Sequence, residues 1–372
     1  VTLAVIEPSA GDWDDFVLHH PAGHLLQLSP WGQLKSAFGW QVCHVAVGET
    51  TRDGRGEPYH AKAPGTFRLP TTHSSLLAGA QVLFRTRYLV SVAYVPRGPL
   101  FSGRADVDDL LLAALKKRAR QQRAVFLRLE PGILEQTSQA DQVHSWLLRK
   151  GFQPTNPLQP RSTLQLALNQ PVDTLFANFS KGHRADIRRA SRKGVTMRVG
   201  NRQDIEAFYA IMQSTSKRAE FGIHTFDYYQ KAWEFFGDRC RLLLAEQEKQ
   251  TIASHIVFAD AHNGLYLYSG ANEQGLKSGA NHLLQWEAIQ WAKERSCTSY
   301  DFWGIPDAYG RAALLPAESQ HHARLEAEAR QDSLAHVYRF KKGFGGQIVR
   351  FLPAYDQIYL FPLYILWQRR LQ

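Results

Sequence analysis

The strand- and helix-forming stretches of this chain come in one order, and that order occurs twice. In the first half, Ser74–Tyr88 and Ser91–Phe101 are rich in Val, Leu, Tyr and Phe, the composition of strands. "DVDDLLLAALKKRARQQR", Asp106 to Arg123, follows as a helix that opens on acids and closes on bases, as the helix dipole favours. "AVFLRLEP" is then a strand ending at Pro131, and "QVHSWLLRKG" a helix ending at Gly151. The second half starts with a strand, "STLQLAL", and helical stretches at Val172–Lys193 and Asp204–Glu220. Three strands follow, "RLLLAEQ", "IASHIVFAD" and "GLYLYSGA", the last pair split by the turn-forming "HNG". "ANHLLQWEAIQWAKERS" is a helix and "SYDFWGIP" a strand. A duplicated α/β unit accounts for this order, and 372 residues give each copy room for its own core. "NPLQPR", Asn156–Arg161, holds two prolines and marks the boundary. Asp307–Val337 breaks the scheme. It is polar, Ala- and Glu-rich and without a core stripe, which suits either a mobile loop over a site or a helical excursion.

With 44 basic against 34 acidic residues the net charge is +10, which favours an anionic partner such as nucleic acid, phosphate or a membrane surface. Cys43, Cys240 and Cys297 are widely spaced, and no Cys/His cluster has the spacing of a metal site. The first residues lack the basic-then-apolar pattern of a signal peptide, and no apolar run approaches the roughly 20 residues that span a bilayer. A cytoplasmic protein is expected. The most apolar stretch, "IYLFPLYILWQRR" (Ile358–Arg370), is short and contains Pro362. Core packing is its plainer reading and a peripheral contact at the inner face of the membrane the alternative.

"SKGHRADIRRASRKG" places Lys181, Arg184, Arg188 and Arg192 at steps of three and four, on one helical face. Leu175, Phe179 and Ile187 lie elsewhere and can pack. A charge run is usually a solvated face. Here Asp186 is the only acid in the stretch, so an extended polyanion is the better counterpart. No zinc finger, RNA-recognition signature or helix-turn-helix is evident, so the expected ligand is a structured RNA gripped by its backbone rather than DNA.

An α/β unit of this order resembles the GNAT acyltransferases, whose Q/R-x-x-G-x-G/A loop holds a CoA pyrophosphate on amides at a helix start. The corresponding stretch, "EQGLKSGANHLL", has glycines, but Leu276 stands where that loop carries Gln or Arg. There is also no P-loop and no dinucleotide fingerprint.

"KGHRADIRRASRKGV", "LYLYSGA", "QWEAIQWAKERSCTSYDFWGI" and "YRFKKGFGG", in this order, resemble the FemABX family of non-ribosomal peptidyltransferases. "LSPWGQLKSAFGW" and "VAYVPRGPLF" extend the likeness to the first half. The resemblance implies an α/β (α+β) fold of two tandem GNAT-like domains, each a mixed sheet flanked by helices. Residues 1–160 would form the first, completed by the segment 352–372, and residues 161–351 the second. It implies transfer of an amino acid from aminoacyl-tRNA to the stem-peptide amine of a peptidoglycan precursor, lipid II or UDP-MurNAc-pentapeptide, without cofactor, ATP or metal.

The resemblance also assigns roles. In the family's F-K-x-x-F-G-G pattern the lysine stabilises transition-state charge; it matches Lys341, with Phe340 beside it. A phosphate-binding lysine four residues after a tryptophan matches Lys35 after Trp31. Glu130, Tyr228 and Tyr268 match further precursor-binding positions. Their plainer readings are local backbone acceptance for Glu130, core packing for the tyrosines and an ordinary surface lysine for Lys35. Two positions depart from the pattern. Phe226 or His224 stands where a related member has a phosphate-binding arginine, and Val125 replaces a tyrosine. Two other classes compete: an N-acyltransferase using acyl-CoA or an acyl carrier, and a tRNA-binding protein without catalysis.

Overall fold

The repeated order builds two sheets of seven strands each. The structure, a computed structural model, describes residues 2–50 and 75–371, so Ser74, the expected first residue of a strand, lies outside them. The first sheet contains β1 (Thr2–Ile6), β2 (Gln41–Thr50), β3 (Leu76–Arg87), β4 (Val90–Val95), β5 (Ala124–Leu129) and β6 (Gln153–Thr155). The second contains β7 (Ser162–Ala167), β8 (Thr196–Val199), β9 (Cys240–Gln247), β10 (Gln250–Ala259), β11 (Asn263–Ala271), β12 (Ser299–Gly304) and β13 (Gln347–Arg350). The last strand, β14 (Ala354–Ile358), returns to the first sheet.

The spatial orders are β1-β2-β3-β4-β5-β14-β6 and β8-β9-β10-β11-β12-β7-β13. Both run through the same pairings: three antiparallel steps, one parallel step, two antiparallel steps. The likeness includes an exchange. β7 follows β6 in the chain yet pairs in the second sheet, and β14 follows β13 yet pairs in the first. A buried bidentate pair fixes the incoming strand, with Arg128 Nε and Nη2 donating to Asp356 Oδ1 and Oδ2 at 2.8 and 2.7 Å. Such a pair costs desolvation, but its geometry admits one register only.

Corresponding helices cover the sheets. Ala105–Gln121 turns Val107, Leu111, Leu115 and Ala119 inward, and Ala280–Glu294 does the same with Leu284, Ala288 and Ile289. A third core joins the halves, where Trp13, Leu25, Leu26 and Leu34 meet Phe208, Met212, Tyr229 and Phe258. The two sheets are therefore held against one another by apolar burial.

Two local expectations need correction, and one open alternative is decided. Val172–Lys193 is two helices, Val172–Asn178 and Lys181–Arg192, because Phe179 and Ser180 are extended and the Ser180 hydroxyl caps the second helix. The strand expected over Ser91–Phe101 stops at Val95, and the chain then turns through Arg97 at φ 49°. Asp307–Val337 is the helical excursion rather than a loop, with helices at Asp307–Ala312 and Gln320–Gln331 before a third at Ala335–Lys342. Its buried side chains, Ala308, Tyr309, Ala312, Leu325 and Ala329, are mostly small, so the stretch shows no apolar stripe although it packs.

Candidate active site

Helix Ala335–Lys342 turns Tyr338 and Lys341 inward, one helical step apart. Lys341 is only 5% exposed, and its Nζ donates to the Gly304 carbonyl at 2.6 Å. That carbonyl lies at the end of β12, where the register slips between Asp301 and Gly304 and Trp303 takes a left-handed φ of 65°. The buried Asp301 holds this bend by accepting from Trp303 N at 2.7 Å. Its other oxygen accepts from Gln165 Nε2 at 3.0 Å and Thr163 Oγ1 at 3.3 Å. Burial pushes the Lys341 pKa down to about 7, with the Asp301 charge opposing the shift. Burial likewise raises the Asp301 pKa, against its hydrogen bonds and the charges of Arg97 and Lys341. The amine of Lys341 is thus near its midpoint at neutral pH. The glycines after it have a steric reason: Gly346 sits at φ 95°, and a Cβ there would come within 2.6 Å of the Gln165 carbonyl.

The basic helix Lys181–Arg192 starts beside this motif. Ser180 N donates to the Gly343 carbonyl at 2.8 Å, and His183 Nε2 donates to the Phe340 carbonyl at 2.7 Å. A Cβ on Gly343 would overlap the His183 ring. Phe340 packs against His282 and Phe344. Lys181, Arg188 and Arg192 are exposed, whereas Arg184 is half-buried and donates to the Ala177 carbonyl. The Arg188 guanidinium lies 5.4 Å from the centre of the Phe176 ring. Asp186, the one acid of the stretch, pairs with Arg189 at 2.9 Å.

The structure brings Lys35, Tyr228 and Tyr268 together from opposite halves. Lys35, on helix Ser29–Ala37, donates to Tyr228 Oη at 2.9 Å and lies 4.3 Å from the centre of the Trp31 ring. Tyr268 Oη donates to Tyr228 Oη at 3.4 Å. His224 stacks on Tyr228 at 3.8 Å between centroids. Burial lowers the Lys35 pKa to about 8, and burial together with the Lys35 charge lowers that of His224 to about 4. Near neutral pH the site presents one ammonium in an aromatic cage with an uncharged imidazole. Phe226 packs instead against Tyr209.

Glu130 lies apart from this cage. Its carboxylate accepts from Tyr94 Oη at 2.8 Å and from the amides of Leu158 and Gln159, and so anchors the segment joining the halves. Val125 sits at the start of β5, packed with Phe126 and Tyr364. A cleft of about 1040 Å³ opens between the halves, with His24 and Ile133 on one side and Gln165, Asp301 and Phe351 on the other. Asp301 in its lining holds the bend whose Gly304 carbonyl takes the Lys341 amine.

A sequence model of the FemAB family matches residues 65–250 and 245–358. The chain belongs to the FemAB family. Its similar curated relatives include the lipid II:glycine glycyltransferases of Staphylococcus saprophyticus and Staphylococcus aureus. Each is 22% identical over 94% of this chain and 92% of the relative. The solved structure of FemX superposes with a TM-score of 0.77 at 18% identity, covering 98% of this chain and 99% of that one. A tandem GNAT protein from the clavulanic acid biosynthesis pathway superposes at 0.52, with 9% identity over 96% and 98% of the two chains. The fold of this FemAB protein is two GNAT-like units in tandem.

Sequence reasoning missed two residues of this FemAB protein's cleft region. Asp301 shapes the bend that meets Lys341, yet within "SYDFWGIP" it reads as one polar position of a strand. Arg97 is buried, donates to the Pro160 carbonyl at 2.8 Å and lies 4.0 Å over the Phe351 ring. Its Nε has no partner among the described residues. The proline and glycine flanking Arg97 were the one available signal, since they mark a turn where a charged side chain can be directed inward.

Proposed function

We propose that this protein is an aminoacyltransferase. It moves an amino acid from aminoacyl-tRNA to the stem-peptide side-chain amine of a peptidoglycan precursor and so builds the interpeptide bridge. Residues 1–160 with 352–372 form its precursor-side unit, and residues 161–351 carry the basic helix and Lys341. The carrying observation is the buried Lys341 amine, pKa about 7, in a motif whose Phe340 and Gly343 carbonyls bind the start of that helix. In the reaction the acceptor amine attacks the ester carbon, the C–N bond forms and the carbonyl oxygen gains negative charge. The ester C–O bond then breaks, and the tRNA oxygen leaves as a hydroxyl with the proton lost by the amine. As the oxyanion develops, the proton affinity of Lys341 rises. Its ammonium therefore stabilises the transition state more than the ground state. The names of the glycyltransferase relatives support lipid II as the precursor. Lys35 in its cage supplies a point charge for a precursor phosphate, with Tyr228 and Tyr268 beside it.

The acyl-CoA alternative has less support, because both helix starts that could hold a pyrophosphate are filled by the chain itself. At Ala105–Gln121 the Asp108 carboxylate accepts from the Ser102 and Gly103 amides at 2.8 and 3.0 Å. At Ala280–Glu294 a Cβ on Gly279 would lie 2.3 Å from the Asp186 carbonyl of the basic helix. The deciding experiment supplies charged tRNA and lipid II and follows the mass of the precursor. Addition of an aminoacyl residue supports the proposal. Transfer from acyl-CoA, or tRNA binding without transfer, would overturn it.

A further inference from the structure

Over residues 361–367 the helix Phe361–Leu371 is wholly apolar, but only part of it is covered. Tyr364 faces inward, its ring 5.4 Å from Phe126 and its hydroxyl donating to Asp356 Oδ2 at 2.8 Å. Phe361, at the start of the helix, is 61% exposed, Leu366 on the far side is 56% exposed, and Leu363 and Ile365 are also exposed. A second element exposes apolar side chains nearby. At the tip between β3 and β4, Tyr88 is 87% and Leu89 76% exposed. β5 joins the two places. Ser91 N donates to the Arg123 carbonyl at 3.1 Å, and the Tyr359 and Leu360 amides donate to the Val125 carbonyl at 2.9 and 3.1 Å. Both elements therefore lie at the end of the first sheet where β4 and β5 begin and β14 finishes.

Exposed arginines border this end. Arg87 and Arg120 lie 5.5 and 5.2 Å over Tyr88 and Tyr359, and Arg123 is exposed at the start of β5. Water is a poor solvent for an apolar surface of this extent. Its combination with a basic rim matches the boundary between lipid headgroups and acyl chains, where apolar side chains insert and cations meet anionic heads. We infer that the protein docks peripherally on an anionic bilayer through Phe361, Leu363, Leu366, Tyr88 and Leu89, with Arg87, Arg120 and Arg123 on the headgroups. Among the described residues no helix is long and apolar enough to cross a membrane, so the contact is at the surface. The far end of β4 leads to Arg97 and the cleft, roughly 20 Å away by strand rise. A precursor anchored in the bilayer would present its peptide across that distance. This part rests on the proposed function, whereas the docking itself does not.

The test sediments the whole chain with vesicles of phosphatidylglycerol and phosphatidylcholine, and with vesicles of phosphatidylcholine alone. Binding to the anionic vesicles is expected, weakening as salt rises. Phe361→Ser with Leu363→Gln and Leu366→Gln should lower partitioning about tenfold or more. Arg87→Gln with Arg123→Gln should remove the preference for anionic lipid. Turnover of a soluble, nucleotide-linked precursor should not change in either variant, since none of these residues touches the cleft. Wild-type protein that stays in the supernatant overturns the proposal, as does equal binding by the triple variant. A concentration-dependent dimer that the triple variant dissolves, without vesicle binding, assigns the surface to a second copy and also overturns it. Vesicle binding without transfer to any precursor leaves docking standing and removes the proposed function.

Discussion

Replacing Lys341 by Met should cost activity and add stability. Lys341 titrates near 7 in the folded protein against an ordinary value of 10.5. A downward shift of that size corresponds to about 5 kcal/mol of destabilisation while the side chain must be charged in both states. Below pH 7 the full cost applies. Between about pH 7 and 10.5 the unfolded chain binds a proton that the folded chain does not, so wild-type stability rises with pH through that window by about 1.4 kcal/mol per unit. Met removes the charge but leaves the buried Gly304 carbonyl without its donor, a loss of about 1–3 kcal/mol. At pH 6 the variant should therefore be about 2–4 kcal/mol more stable than wild type, and most of that margin should vanish by pH 9. Urea midpoints at pH 6, 7 and 9, with unchanged slopes, measure this directly. Turnover should fall by about 100- to 1000-fold, as for loss of one group stabilising an oxyanion. A variant less stable at pH 6, with a gap that does not move with pH, would refute the burial argument. Near-normal turnover would remove Lys341 from the mechanism.

Lys35→Ala should raise the precursor KM about tenfold or more with kcat less affected, because the interaction exists before and during the reaction. In the wild type, precursor kcat/KM should decline as pH rises through about 8, where Lys35 loses its charge; a level profile there would separate Lys35 from the phosphate. Arg184, Arg188 and Arg192 replaced together by Gln should weaken tRNA binding and flatten its salt dependence by about 0.7 to 0.9 log unit for each phosphate no longer neutralised. Filter binding across a salt series reads this, and a loss of precursor binding instead would assign the helix face to the other substrate.

The duplication was legible because it is written locally. Strand composition, helix charge asymmetry and turn residues recur in order, and each needs only neighbours in sequence. The exchange of β7 and β14 was not readable from periodicity, since a strand's pattern says it is buried but not in which sheet. The same division runs through the site. Lys341 stood out through an aromatic- and glycine-flanked motif whose residues are adjacent in the chain. Asp301 and Arg97 act through bonds to Trp303, Gln165 and Pro160, and only tertiary burial makes their charges informative. For Asp307–Val337 the sequence left loop and helix both open because Ala308, Ala312 and Ala329 pack without bulk.

The strand exchange supplies what a site between two units requires. The proposed transfer needs acceptor and donor held in one geometry, and a misplacement near 1 Å can cost about 100-fold. A single linker between two GNAT-like units would leave their orientation to a surface contact. Here the chain crosses twice, once through Arg161 and once through Arg350. Glu135 pairs with both, at 2.7 Å to Arg161 and in a second ion pair with Arg350. Arg350 also donates to Asp307 Oδ1 and Oδ2 at 3.1 and 3.0 Å, and Arg161 Nε donates to the Phe351 carbonyl at 2.8 Å. The two crossings are thus tied side by side. From Lys341 the chain runs through Gly343–Gly346 into β13, past this clamp, and into the first sheet between β5 and β6 as β14. Any rotation of one unit against the other must break the ion pairs of Glu135 with Arg161 and Arg350 or open the apolar core that joins the halves. Lys341 is therefore placed by the first sheet as well as by its own.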